Sequence, residues 1–395
     1  MSDTDTDLAT KGRARIDWIR SRMPLLAQAR EHFAASQPFA GHRIGMSLHL
    51  EPKTAVLLET LAAGGAEIVA TGNFGSTQDD TVAALRQAGM TVFGTRADTL
   101  EQHRANVRAV LDRDPRILLD NGADLAAGIV ERGAQASIIG GTEETTSGAD
   151  RLRGELAGAV SFPVVVINDS RLKAIGENRH AVGQSIVESF MRITNLMVPG
   201  RHVVVVGYGW CGRGIAQYFR SLGAQVGVVE LDVMKAFEAA LDGFRVASLA
   251  ELAGWADVLI TATGRERVVG ADVFDLLRDD VVLGNSGHFP WEIDVAALRA
   301  DAASIDQVDV GIERIHRPNG RRVVLLAGGR MFNLAGREPK GNSLESMDLG
   351  FLLQALSLER VATDAAGLVP GAQPVPDDIE RLIAARFVDA LGASR

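Results

Sequence analysis

A run of valines that leads into a glycine-rich turn constrains the fold of this chain more than any other feature. Residues 203–214 read VVVVGYGWCGRG, which gives Gly207, Gly209 and Gly212 the G-x-G-x-x-G spacing between a buried strand and a helix. The first glycine permits a tight turn, the second lets a pyrophosphate approach the backbone, and the third lets the helix pack against the strand. This context predicts a dinucleotide site, although a glycine-rich turn without a ligand remains the alternative.

The next strand-like run indicates which dinucleotide binds. It reads QVGVVELD and ends near Glu230, 18 residues after Gly212. A carboxylate at this place can accept hydrogen bonds from the ribose hydroxyls of NAD, and it would repel the 2′-phosphate of NADP. We therefore predict NAD as the cofactor.

Two stretches of the chain alternate short β-branched runs with helix-like segments. The first lies between Gly41 and Asp169 and contains RIGMSLHL, AEIVATGN, MTVFGTR, RILLDNG, ASIIGG and PVVVIND. The second follows Pro199-Gly200 and contains HVVVVGYG, QVGVVELD, DVLITATG, DDVVLGNSG and RRVVLLAGG. Such alternation is typical of parallel sheets with helical crossovers. The expected fold class is α/β, with two Rossmann-like, doubly wound parallel-sheet domains.

Polar residues follow several runs of the first stretch, where an open parallel sheet places its ligands. They are His49, Asn73, Asn121, Asp124, Glu143, Glu144 and Asn168. Other segments have a simpler interpretation. We expect a loose polar tail over the first dozen residues, helices over 182–196 and 343–360, a Pro/Gly-rich loop over 367–376 and a final helix.

Composition excludes several classes of protein. The net charge of −9 and the pI near 5.5 argue against nucleic-acid and acidic-membrane partners, which need clustered Lys and Arg. Cys211 is the one cysteine, so we expect neither a disulfide framework nor a metal site. The N-terminus lacks the apolar core of a signal peptide, and no apolar run reaches the roughly 18 residues of a membrane span. We expect a soluble, cytoplasmic protein.

Several motifs, all in the same order, resemble those of the S-adenosyl-L-homocysteine hydrolases. They are TAVLLETLAAGGAE (54–67), STQDD (76–80), EETTSG (143–148), INDS (167–170), GYGWCGRG and NSGHFPWEID (285–294), within a similarity that covers about residues 40 to 360. The resemblance implies a substrate-binding domain over 1–183 and 340–365, an NAD-binding domain over 184–339, an extension over 366–395 and a cleft between the domains. It also implies a homotetramer, or at least a homodimer.

The resemblance further implies a redox-neutral reaction on a small-molecule nucleoside. Oxidation of the ribose 3′-hydroxyl acidifies the C4′ hydrogen, so that a base can remove it and a group on C5′ can leave. Water then adds, and the stored hydride returns to the ketone.

Residue by residue, the resemblance implies these roles. Lys173 matches a lysine at the ribose hydroxyls, Glu144 a glutamate that binds them, and His49 a histidine near the leaving group. Asn178 lies beside the nicotinamide, and His288 at the domain junction. Thr145, Thr146, Ser147 and Asn333 touch NAD. The full cofactor set predicted from the motifs is Thr145, Thr146, Ser147, Gly207, Gly209, Trp210, Cys211, Gly212, Arg213, Gly214, Glu230, Lys235, Ser286, Gly287, His288 and Asn333.

The departures from the family pattern lie on the substrate side. LDNGAD places Asn121 where the family has an acid–base aspartate, and an amide cannot exchange a proton at working pH. Glu177 replaces an aspartate four residues after the lysine, and although it is one methylene longer it can do similar work. The expected catalytic residues are Lys173, Glu177, Asn178, His49 and His288. HLEPKT places Glu51 and Lys53 where neutral groups face the purine, and Lys340 takes the place of a closing histidine. The family's C-terminal Lys-and-Tyr tail has no counterpart. We expect Glu51, Lys53, Asn121, Asp124, Glu144 and Lys340 to contact substrate.

These departures leave several hypotheses. The first is NAD-dependent dehydration at the primary carbon of a purine nucleoside, as in the pathway to the antibiotic angustmycin. The second is hydrolysis of S-adenosyl-L-homocysteine or a variant nucleoside thioether. The third is a non-catalytic NAD-binding regulatory protein, and a dehydrogenase that releases NADH is also conceivable. Retention of Lys173, Glu144, Asn178, His49 and His288 speaks against a non-catalytic role.

Overall fold

The computed structural model describes residues 3–288, 290–336 and 338–393. The chain divides into two compact units: unit 1 runs to Ala174 and resumes at Leu344, and unit 2 is Ile175–Ser343. No helix in the described residues is long and apolar enough to cross a membrane.

The elements alternate as the sequence predicts. The strands are β1 (Arg43–Ser47), β2 (Glu67–Thr71), β3 (Thr91–Phe93), β4 (Ile117–Asp120), β5 (Gly140–Glu143), β6 (Pro163–Val166), β7 (His202–Val206), β8 (Gln225–Val229), β9 (Arg245–Val246), β10 (Val258–Thr261), β11 (Val281–Asn285), β12 (Ser304–Asp309), β13 (Ile312–His316), β14 (Arg322–Leu326) and β15 (Gly371–Pro374). The helices are α1 (Asp3–Arg20), α2 (Pro24–Ser36), α3 (Pro52–Ala63), α4 (Asp79–Gln87), α5 (Leu100–Leu111), α6 (Asp124–Glu131), α7 (Thr146–Arg153), α8 (Val182–Thr194), α9 (Trp210–Ser221), α10 (Val233–Leu241), α11 (Leu249–Ala253), α12 (Ala271–Phe274), α13 (Val295–Ala300), α14 (Phe332–Ala335), α15 (Leu344–Thr363) and α16 (Asp377–Ala393).

Unit 1 contains a parallel sheet in the order β15-β6-β5-β4-β1-β2-β3. Its central strands are buried along their whole length, β4 and β5 among them, because helices cover both faces. The chain moves from β1 to β2 and β3 on one side and to β4, β5 and β6 on the other. Adjacent β1 and β4 therefore form a switch point, where such sheets bind ligands.

Unit 2 contains a sheet in the order β12-β13-β14-β11-β10-β7-β8-β9, with its own switch point between β7 and β10. The strands from β14 to β9 are parallel, as expected, and the α/β class is confirmed. However, β12 and β13 pair antiparallel at one edge, so this sheet is mixed rather than wholly parallel. Sequence reasoning missed this ribbon because β12 is exposed throughout and lacks a buried apolar run.

Two expectations about the chain's outer segments are wrong. Residues 3–12 of the predicted loose tail form the first part of helix α1. This helix packs closely on α4, because a Cβ at Gly12 would lie 1.9 Å from the carbonyl oxygen of Asp80. The predicted loop 367–376 contains β15, whose Gly371 N–H donates to the carbonyl of Phe162 over 2.9 Å. Pro374 ends this edge strand, where a missing N–H does no harm.

Candidate active site

The switch point of unit 1 brings His49 and Ser76 together. His49 follows β1, and its Nδ1 lies 2.7 Å from the hydroxyl of Ser76. That hydroxyl also donates to the carbonyl of Asn73 over 3.2 Å. A hydroxyl has one proton; if Ser76 donates it to Asn73, the Nδ1–H of His49 is the donor to Ser76. Nε2 is then the ring nitrogen that can accept a proton.

Asn121 follows β4, beside the end of β1. It is 1% exposed, and its Nδ2 donates to Oδ1 of Asn73 over 3.2 Å. Its Oδ1 is buried without a hydrogen-bond partner among the described residues. A buried acceptor without a partner costs stability, so this oxygen is suited to a donor that arrives with a ligand.

Glu144 and Lys173 form a buried ion pair just beyond the end of β5. Their exposed fractions are 6% and 2%. The Nζ of Lys173 donates to one oxygen of Glu144, and Nε2 of Gln354 on α15 donates to the other. Sequence reasoning did not identify Gln354, because α15 reads as an apolar helix with one interior amide.

A second buried ion pair joins Glu51 and Lys53 at the start of α3. The Nζ of Lys53 lies 3.0 Å from Oε2 of Glu51, and the residues are 3% and 6% exposed. Since desolvation cancels much of the attraction, a buried pair contributes little net stability. Its two charges offer a ligand one acceptor and one donor group.

Two further buried carboxyl groups, of Asp120 and Glu143, are on the last residues of β4 and β5. Oδ1 of Asp120 accepts from the N–H of Asn121, and Oε1 of Glu143 accepts from those of Gly122 and Thr145, all within 3.0 Å. Burial raises the pKa of Asp120 to about 7 and that of Glu143 to about 8; nearby carboxylates add to the effect, and the backbone hydrogen bonds oppose it. These carboxyls hold the turns after β4 and β5 in place.

Other predicted substrate residues differ in their surroundings. Asp124 accepts from Arg151 over 3.0 Å and lies 3.4 Å from Nε2 of the buried His103. These contacts lower its pKa, although burial opposes them. Lys340 is exposed.

A π-helix, Lys173–Ala181, carries Glu177 and Asn178. Nδ2 of Asn342 lies 3.4 Å from Oε1 of Glu177, and Oδ1 of Asn342 accepts from Ser185 over 3.2 Å. Ser185 in turn accepts from Nδ2 of the predicted cofactor residue Asn333 over 2.9 Å. The sequence analysis did not identify Asn342 and Ser185, because a single amide or hydroxyl residue belongs to no recognisable motif.

The glycine-rich turn of unit 2 fits a dinucleotide. A Cβ on Gly212 would lie 2.0 Å from the carbonyl oxygen of Gly207, so this glycine permits the close packing of α9. A Cβ on Gly209, at the N-terminus of α9, would meet nothing within 4 Å. The space over Gly209 and the positive end of α9 suit a pyrophosphate.

Glu230 stands at the end of β8, as predicted. Its carboxylate accepts from the N–H groups of Tyr208, Leu231 and Asp232 over 2.7–2.9 Å. A carboxylate offers about four lone-pair positions, so one remains for a ribose hydroxyl.

The other predicted cofactor residues of unit 2 lie on several elements. Arg213 pairs with Glu238 and lies over the half-exposed Trp210, 4.9 Å from its ring centre. A Cβ on Gly214 would lie 1.8 Å from the carbonyl oxygen of Arg179. Cys211 and His288 are half-buried, Lys235 is exposed, Ser286 donates to Thr261 and the Gly287 N–H donates to Asn285.

The cofactor residues predicted in unit 1 begin α7. Thr145 precedes the helix, Thr146 is its first residue, and the hydroxyl of Ser147 is buried without a partner in the described structure. In unit 2, Oδ1 of Asn333 is also buried without a hydrogen-bond partner among the described residues. Among the residues that the structure describes, no group of three His, Cys, Asp or Glu side chains could hold a metal ion.

Comparisons with known proteins match both units of the chain. Profiles described as "S-adenosyl-L-homocysteine hydrolase" and "S-adenosyl-L-homocysteine hydrolase, NAD binding domain" match residues 3–138 and 178–338. The S-inosyl-L-homocysteine hydrolase of Methanopyrus kandleri is 44% identical, over 98% of this chain and 92% of that protein. The adenosylhomocysteinase of Thermococcus kodakarensis is 42% identical, over 98% and 93%.

A solved structure shares the fold alone. A dipicolinate synthase structure from Bacillus halodurans has a TM-score of 0.50 and 14% identity, and the match covers 82% of this chain and 99% of that one. The sequence matches are stronger evidence of relationship, because they extend through both units at over 40% identity. They confirm the predicted resemblance and the predicted cofactor: the chain belongs to the S-adenosyl-L-homocysteine hydrolase family of NAD-dependent enzymes.

Proposed function

We propose that the protein hydrolyses a thioether of a purine nucleoside with L-homocysteine, either S-adenosyl- or S-inosyl-L-homocysteine, to the nucleoside and homocysteine. In this proposal unit 1 binds the substrate and unit 2 binds NAD. The names of relatives matched over 98% of the chain support it. The observation that carries it is the buried ion pair of Lys173 and Glu144.

Two charged side chains buried beyond the ends of parallel strands suggest a catalytic or binding role, because a buried ion pair contributes little net stability. Glu144 can accept hydrogen bonds from sugar hydroxyls, and Lys173 can exchange a proton with the hydroxyl whose carbon is oxidised. NAD, when bound, supplies a reversible hydride acceptor, which keeps the net reaction redox-neutral.

His49 is suited to work at the primary carbon of the sugar. Its ring is oriented through Nδ1 by Ser76, and Nε2 can carry a proton to a departing group or take one from water. One histidine can perform both tasks in turn, because the elimination consumes the proton that the later water addition returns.

Asn121 favours a thioether over an alcohol as the substrate. Its amide cannot donate a proton to the leaving group, so the site has one acid fewer than the family pattern. A thiol, with a pKa of about 8.5, leaves without full protonation far more easily than hydroxide, whose conjugate acid has a pKa of about 15.7. Homocysteine is therefore the better leaving group here.

The same residue motivates a second candidate function. If Asn121 leaves water poorly activated, the elimination product persists and the returning hydride yields an exocyclic alkene. The net reaction is then loss of water or of a thiol from the primary carbon, as in angustmycin-type nucleoside dehydration.

The pair of Glu51 and Lys53 is compatible with either purine. Adenine offers the donor N6–H and the acceptor N1, whereas hypoxanthine offers the donor N1–H and the acceptor O6. The carboxylate and the ammonium lie 3.0 Å apart. With adenine the carboxylate would accept from N6–H and the ammonium would donate to N1, whereas with hypoxanthine the carboxylate would accept from N1–H and the ammonium would donate to O6.

The oligomeric state belongs to the proposal as well, as a homotetramer or a homodimer. Met191, Met197 and Leu222 are 40%, 69% and 41% exposed and line one surface pocket with Pro199. Assembly would cover these apolar side chains. Light scattering of the purified protein tests this, and a monomeric mass would contradict it.

The decisive experiment offers the NAD-loaded protein each thioether and, separately, adenosine and inosine. A thiol reagent measures homocysteine, and mass spectrometry identifies the nucleoside product. Release of homocysteine with an intact nucleoside supports hydrolysis. A nucleoside product that lacks the elements of water supports dehydration, and no product from any substrate refutes both.

A further inference from the structure

Gln354 occupies a place that folding alone does not explain. It lies in the middle of the apolar helix α15, it is 0% exposed, and its Nε2 donates to Glu144, which is 210 residues away in the sequence. Glu144 is thus held from two sides, by Gln354 on one oxygen and by Lys173 on the other.

Helix α15 is firmly positioned. Near its start, both oxygens of Asp348 accept from the first backbone N–H groups of α2, at Leu25 and Leu26, over 2.8 Å. Near its end, a Cβ on Gly140 of β5 would lie 2.9 Å from Cγ1 of Val361. The helix therefore runs along β5 in a set register, and the Gln354 amide reaches Glu144 from a rigid support.

The carbonyl oxygen of the Gln354 amide lowers the stability of the fold. Because the NH₂ group faces the carboxylate, Oε1 points into the protein and has no partner among the described residues. An apolar side chain of similar size would avoid this buried orphan. A residue that weakens the core while it bonds a functional carboxylate is the pattern expected of a site built for function.

We propose that Gln354 is a positioning residue that orients the Glu144 carboxylate toward the substrate sugar while Lys173 holds its other oxygen. This inference rests on the proposed function, since it assigns Glu144 to the sugar hydroxyls. Without Gln354, the carboxylate rotates about its side-chain bonds and is no longer preorganised for the sugar.

The test compares Gln354→Met, which is close in size and has no donor, with Ser357→Ala as a matched control. Ser357 lies one turn further along α15, and its buried hydroxyl likewise has no partner in the described structure. We expect Gln354→Met to lose about 10- to 100-fold in kcat with a smaller change in KM. Its Tm should stay within about 2 °C of the parent or rise. Ser357→Ala should keep kcat within about twofold.

The outcomes separate the inference from the proposed function. If the parent turns over and Gln354→Met retains its kcat, or if its Tm and activity fall together, the positioning role is refuted. If the parent turns over no nucleoside, the proposed function fails by itself. A double-mutant cycle of unfolding with Glu144→Gln then decides the contact: coupling of about tenfold in the unfolding constant supports it, and additivity within about twofold overturns it.

Discussion

Alanine at Gly209 should weaken NAD binding without disturbing the fold. Gly209 has φ −69° and ψ −170°, an extended conformation that alanine adopts freely. The added Cβ meets nothing within 4 Å, so no packing is lost in the free protein. The unfolding free energy should therefore change by less than about 0.5 kcal/mol.

The effect on NAD follows from the position of that methyl group. It would occupy the open space at the N-terminus of α9, where a pyrophosphate would approach the backbone. A shift of about 1 Å breaks an N–H···O contact, and a hydrogen bond to a charged group contributes about 1.5–3 kcal/mol. The expected increase in Kd is about 10- to 150-fold.

Gly212→Ala is the matched control. Its Cβ would lie 2.0 Å from the carbonyl oxygen of Gly207, so α9 must move away from β7. We expect a loss of about 1–3 kcal/mol in unfolding free energy in addition to weaker NAD binding.

Calorimetric titration of the NAD-free protein measures Kd, and thermal unfolding without NAD measures stability. If Gly209→Ala binds NAD within about twofold of the parent, the pyrophosphate does not lie against this turn. A large fall in its Tm would show that the space over Gly209 is not open.

Three further predictions concern unit 1. Lys173→Met leaves Glu144 buried without its cation, so unfolding measurements should show a loss of about 3–5 kcal/mol, which a second change, Glu144→Gln, partly restores. Burial raises the pKa of Asp348 to about 6, so its folded form binds a proton more tightly than its unfolded form. The stability of the parent relative to Asp348→Asn should fall by about 2 kcal/mol as pH rises from 4 to 6, and chemical denaturation across that range checks the sign. Gly12→Ala brings a methyl group against the Asp80 carbonyl and should cost about 1–3 kcal/mol in denaturation, whereas a loose tail would give no change.

The α/β class, the dinucleotide turn and most strands could be predicted from the sequence. These features depend on local patterns: the spacing of Gly207, Gly209 and Gly212, and β-branched runs a few residues long. The edge elements were harder. The β12–β13 ribbon and β15 carry no buried apolar run, and their pairing depends on the strands beside them.

The candidate site divides in the same way. His49, Glu144 and Lys173 stand in motifs that are recognisable by their neighbours, so sequence alone was enough to predict them as site residues. Only the tertiary structure decided that Gln354 bonds Glu144 and that Asn342 lies beside Glu177. Such contacts join residues far apart in the chain, and packing registers that no local pattern encodes bring them together.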